Sequence, residues 1–95
     1  MQLEVRKVMI PKEYSTIAAD HNLSALVRVE LDRFLQADKN KGLGDVYRVP
    51  ARFKSGNYKT SVKVDPMKKA QLAKYGISLS KIAQVAAMKA LGWIS

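Results

Sequence analysis

The stretch Leu79 to Leu91, LSKIAQVAAMKAL, restricts the fold more than any other part of the chain. Read as a helix, it places Lys81, Gln84 and Lys89 in one narrow polar stripe, expected to face solvent. Ile82, Ala83, Val85, Ala86, Ala87, Met88, Ala90 and Leu91 cover the rest of the circumference. A helix that is apolar nearly all round must be buried nearly all round. One strand and one short helix cannot supply that cover, so the helix needs a second unit of similar kind.

The residues before it read as a strand and a short helix. Thr60, Val62 and Val64 alternate with Lys59, Ser61 and Lys63, the period of a half-buried strand whose wet face is basic and polar. Asp65-Pro66 stops that strand and opens a helix, Asp as the N-cap and Pro at the first helical position. Gly76 supplies a left-handed C-cap, and Ser78 caps the apolar helix two residues on.

The first third of the chain repeats this order. Leu3 to Ile10 is a strand with imperfect alternation: Val8 and Ile10 suit one face, Leu3 and Val5 the other. A bulge or a change of partner would each explain that. Pro11 ends the strand, and Lys12 to Asp20 makes a short helix with Tyr14, Ile17 and Ala18 on one side. Asn22 is a candidate left-handed C-cap, and Ser24 a cap for a second helix, Ala25 to Gln36. Leu23, Leu26, Val27, Leu31, Phe34 and Leu35 form its apolar stripe. Asn22-Leu23-Ser24 corresponds to Gly76-Ile77-Ser78, and Val8/Ile10 to Val62/Val64, both at a spacing of 54, while the helix stripes align better with a shift of two. Two helical hairpins arising by chance in a small α-rich chain would give the same outline.

Strand, helix, tight Gly turn and Ser-capped apolar helix resemble the ribbon-helix-helix family of DNA-binding proteins. The matching residues are TSVKV for the ribbon, Gly76-Ile77-Ser78 for the turn and SKIAQVAAMKAL for the core helix. One departure is a first helix about one turn shorter than is usual in the family. The resemblance implies an α+β fold in which two ribbons pair antiparallel and enter the major groove. With two copies in one chain, it extends to the tandem arrangement of TraY-type conjugation proteins. Residues 1–37 would then be the first strand-helix-helix copy, 38–57 a linker with a basic arm, and 58–95 the second copy. The copies would pair as an intramolecular pseudo-dimer, or between chains as a homodimer with higher assembly on DNA.

The charge points to the same class of partner. Residues 1–40 hold six Lys/Arg and six acids, whereas residues 41–95 hold eleven Lys/Arg against Asp45 and Asp65. The whole formal charge of +9 therefore sits in the second half, which suits a polyanion. A basic solubilising surface would carry the same charge. In the linker, Lys39 to Gly44 lacks the spacing of a phosphate loop. Val46 to Phe53 reads as extended, with Pro50 limiting it to an edge or an arm. Arg48, Arg52 and Lys54 alternate there with Tyr47, Phe53 and Tyr58, a pattern that suits a nucleic-acid arm and equally suits aromatics packed on the core.

The expected base-reading residues are Lys59, Ser61 and Lys63 of the second strand, with Arg6 and Lys7 from the first. The wet face of an ordinary sheet would look the same. Ser78, Ser80 and Lys81 at the mouth of the last helix suit phosphate, with Ser24 in the corresponding place of the first copy.

No catalytic constellation is expected: the acids are scattered, and His21 is the only histidine. Without cysteine there is no thiolate metal site, and no metal or cofactor is expected. No apolar run reaches membrane-spanning length, and no secretion signal is legible, so a cytoplasmic protein is expected. The expectation is therefore a duplex DNA-binding protein: a transcriptional repressor or a plasmid, phage or conjugation regulator. Two rivals are an antitoxin-like or inhibitory interaction module and a single-strand binder stacking bases on Tyr47, Phe53 and Tyr58.

Overall fold

The computed structural model describes residues 3–18, 21–37 and 56–93. The elements in order are β1 (Glu4–Pro11), a 3-10 helix (Lys12–Thr16), α1 (Leu23–Ala37), β2 (Asn57–Val64), α2 (Pro66–Ala73) and α3 (Leu79–Ala90). The expected linker and arm, with Arg48, Arg52 and Lys54, lie outside the described residues, as does Asp20 at the end of the expected first helix.

The fold is α+β, with β1 and β2 forming a two-stranded antiparallel ribbon. Its register runs unbroken from Glu4 opposite Val64 to Pro11 opposite Asn57, so the uneven alternation in β1 is not a bulge. Residues directly opposite share a face. Val8, Ile10, Val62 and Val64 lie on the inner face and are buried to 1% exposure or less. Val5 falls on the outer face and is 56% exposed.

Beneath the ribbon, α1 and α3 pack on each other and close the core. Val27, Leu31 and Phe34 of α1 meet Ile82, Ala83, Val85 and Ala87 of α3 in one buried cluster with the ribbon valines. The cover that α3 requires thus comes from the first half of the chain. Its stripe is not solvated throughout, however. Lys89 Nζ stands 2.7 Å and 3.2 Å from the two carboxylate oxygens of Glu30, whose side chain is 4% exposed. The expectation that Lys89 faces water is corrected: a buried carboxylate on α1 needs a cation, and Lys89 is placed to supply it.

Local chemistry sets the element ends. Asp65 Oδ1 accepts from the Met67 N–H at 2.9 Å, with Pro66 at the first position of α2. After Ala73 the N–H groups of Lys74, Tyr75 and Gly76 bond three residues back, tightening the turn before Gly76 reverses the chain at φ +69°. Ser78 Oγ caps α3 by accepting from the Lys81 N–H at 3.3 Å. At the far end Gly92, at φ +78°, completes a Schellman motif: the Trp93 N–H bonds Met88 O, and the Gly92 N–H bonds Lys89 O.

Two expectations in the first third change. The short helix expected from Lys12 is, over Lys12–Thr16, of 3-10 and not α type. Its short polar side chains compete for the backbone: Thr16 Oγ1 donates to Glu13 O at 2.8 Å. Asn22 is not a C-cap either. Its Oδ1 accepts from the Ala25 N–H at 3.2 Å, so it is the N-cap, and α1 starts at Leu23. Ser24 is thereby released from capping.

Candidate nucleic-acid interface

The outer face of the ribbon carries Val5, Lys7 and Met9 on β1, opposite Lys63, Ser61 and Lys59 on β2. Lys7, Lys59, Ser61 and Lys63 are exposed there, and Met9 is half-buried. No two lysines are directly opposite. Lys7 faces Ser61, while Lys63 faces Val5 and Lys59 faces Met9, so the three cations meet only diagonally. That spacing keeps their mutual repulsion small and spreads positive charge over the whole face. From Val5 to Met9 and from Lys59 to Lys63 the face holds no acid.

Arg6 does not join this face. Its position pairs with Val62 on the inner side, where the exposed guanidinium bonds Glu4 Oε2 and, at 3.1 Å, the Val5 carbonyl. Alternation along the strand forces the separation: Arg6 and Lys7 are consecutive, so only one can point outward.

The two edges of the ribbon are held by the two long helices. In a two-stranded sheet every second N–H and C=O points away from the partner strand and needs another acceptor or donor. Ser24 Oγ, in the first turn of α1, accepts from the Lys63 N–H at 3.0 Å. Ser80 Oγ, in the first turn of α3, accepts from the Met9 N–H at 3.4 Å. Each serine lies two residues after its helix cap, Asn22 or Ser78. Arg28 adds a contact from its Nη1 to the Lys63 carbonyl at 3.4 Å. The result is a basic strip with a helix N-terminus drawn against each edge. Such an N-terminus presents outward-pointing N–H groups and the positive end of the helix dipole.

The structure places Lys7, Lys59, Ser61 and Lys63 on the outer face of the ribbon, Ser24 and Ser80 at its two edges, and Lys81 beside Ser80 in the first turn of α3. Ser78 caps α3 two residues before Ser80. The edge-tying role of Ser24 and Ser80 was missed from the sequence. Its signal is the triplet Asn22-Leu23-Ser24 against Ser78-Leu79-Ser80, an N-cap with Ser two residues on, at a spacing of 56. Val5 lies on the face opposite Val8 and Ile10, as the alternation indicates, whereas Met9 was not singled out from the sequence.

Elsewhere, Leu26, Val29, Ala86 and Ala90 line a recess of about 240 Å³ between α1 and α3. Among the described residues no cluster of His, Asp or Glu could hold a metal, and no helix is long and apolar enough to cross a membrane. Comparisons of the chain with protein-family models, with curated proteins and with solved structures find no match.

Proposed function

We propose that the chain is a sequence-specific duplex DNA-binding protein of ribbon-helix-helix kind. In this reading two strand-helix-helix copies share one core, and their joint ribbon enters the major groove. The observation that carries it is the outer ribbon face, with Lys7, Lys59 and Lys63 exposed and unopposed by any acid. A two-stranded ribbon fits the groove, and Lys and Ser can both bond base edges there. Lys7, Lys59, Ser61 and Lys63 read bases. Ser78, Ser80, Lys81 and Ser24 sit where the helix mouths meet the phosphates on either side.

The tandem arrangement is supported by two sets of like positions. Val8 and Ile10 share their burial and face with Val62 and Val64, at a spacing of 54. Asn22 and Ser24 share cap and edge roles with Ser78 and Ser80, at a spacing of 56. The difference of two residues falls between strand and long helix, where one copy has a 3-10 helix and the other α2. The biological setting that fits is repression of transcription, or regulation on a plasmid, a phage or a conjugative element, in the cytoplasm.

One observation favours a second reading, an interaction module: the recess between α1 and α3, beside which Val29 is 58% exposed. Titration against duplex DNA, single-stranded DNA and RNA at two salt concentrations separates the two. The DNA-binding reading expects duplex to be bound most tightly and to weaken steeply with salt. Equal or absent binding at both salt concentrations would leave only the interaction module.

A further inference from the structure

The outer face of the ribbon is not uniformly polar. Val5 is 56% exposed at one end of a basic strip, directly opposite Lys63 and two residues from Lys7. Among the described residues nothing covers it, and it is not part of the inner core. Under the spacing that relates the strands, Val5 of β1 corresponds to Lys59 of β2, Lys7 to Ser61, and Met9 to Lys63. The β1 row is thus apolar, Lys, apolar, whereas the β2 row is Lys, Ser, Lys.

In the major groove one base edge is apolar: the C5-methyl group of thymine. Lysine complements the O6 and N7 acceptors of guanine in the same groove. We propose that Val5 is a specificity residue that recognises a thymine methyl, so that the two rows of the ribbon read different bases. This rests on the duplex-binding reading above and adds a partner for one residue that the reading does not use. The basic face around Val5 supplies the attraction to a polyanion, and Val5 favours thymine where a lysine would favour guanine. Because β1 and β2 present different side chains at corresponding positions, the preferred site is not a palindrome. Its thymine faces β1 in one half and has no counterpart facing Lys59 in the other.

The test is a scan of deoxyuridine for thymidine, which removes the methyl and keeps the Watson–Crick pairing. The preferred duplex is first selected from a randomised pool with the full chain. Each thymine is then replaced singly, and binding is measured for wild type, Val5→Ser and Lys59→Ala. At one position facing β1, wild type should lose about four-fold in affinity, the value of one buried methyl group. Val5→Ser should bind the two duplexes equally, while Lys59→Ala should bind both more weakly and keep the four-fold difference. Circular dichroism of Val5→Ser should match wild type, because the side chain is outside the core. A selected duplex that tolerates every deoxyuridine, or a Val5→Ser variant that keeps the methyl preference, would overturn the proposal and leave duplex binding standing. A palindromic selected site would overturn the unequal rows. Failure to select any duplex would remove the proposal together with the reading beneath it.

Discussion

Lys89 and Tyr14 show how much one buried polar group decides. Removing the ammonium takes the Lys89 ion pair from the buried Glu30 carboxylate, so Lys89→Ala should destabilise the fold by about 3 kcal/mol. Replacing both partners, Glu30→Leu with Lys89→Met, should recover most of that loss in urea unfolding, because no charge then remains to be desolvated. Tyr14 presents the opposite case. It is 2% exposed, and its hydroxyl has no hydrogen-bond partner among the described residues. Tyr14→Phe should therefore be neutral or slightly stabilising, since it removes an unpaired buried hydroxyl and keeps the ring. Burial also pushes the Tyr14 phenol above its ordinary value of 10.0. The folded state favours the neutral form, so this contribution is whole at neutral pH. It declines once pH rises past the unfolded value of about 10. Unfolding measured across that range should show a shallower loss of stability in Tyr14→Phe than in wild type.

Among the elements, the junction between helix and ribbon edge is the feature that organises the site. Ser24 and Ser80 each satisfy one outward-pointing strand N–H, so Ser24→Ala and Ser80→Ala should each cost about 1 kcal/mol. Amide hydrogen exchange should accelerate at Lys63 in the first variant and at Met9 in the second. The strands, α2 and α3 were legible from the sequence because their periodicity and caps agree: Val62/Val64 alternation, Asp65-Pro66 and Ser78 all signal the same boundaries. The first third was less legible. Asn22 can end one helix or start the next, and only packing decides that α1 begins at Leu23. Lys12–Thr16 is helical as expected, but Ser15 and Thr16 are weak helix formers and the Thr16 hydroxyl takes a backbone carbonyl, so the helix is 3-10. Lys59, Ser61 and Lys63 followed from period-two alternation, whereas the choice of Lys7 over Arg6 required the register. The Glu30–Lys89 pair joins residues 59 apart in sequence, and no local pattern announces such a contact.

For the molecule as a whole, the ribbon and the cover for α3 are both completed within one chain. Its thermal unfolding midpoint should therefore not change with protein concentration. A midpoint that rises strongly on concentration would mean that the folded unit is an assembly. The outer ribbon face carries Lys7, Lys59 and Lys63, with the first turns of α1 and α3 at its two edges, and the proposed function uses this arrangement. It also divides the labour between two lysines. Lys63 stands on the outer ribbon face, proposed to meet base edges, and Lys81 in the first turn of α3, proposed to meet phosphates. The most direct measurement is the affinity of Lys63→Ala and Lys81→Ala for the preferred duplex and for random duplex, each across a range of salt. Lys63→Ala should lose roughly 1–3 kcal/mol more on the preferred sequence than on random DNA. Lys81→Ala should lose affinity for both alike, with a salt dependence shallower by about one charge. Identical specificity ratios and identical salt slopes in the two variants would contradict a ribbon that reads bases, even if the protein still bound DNA.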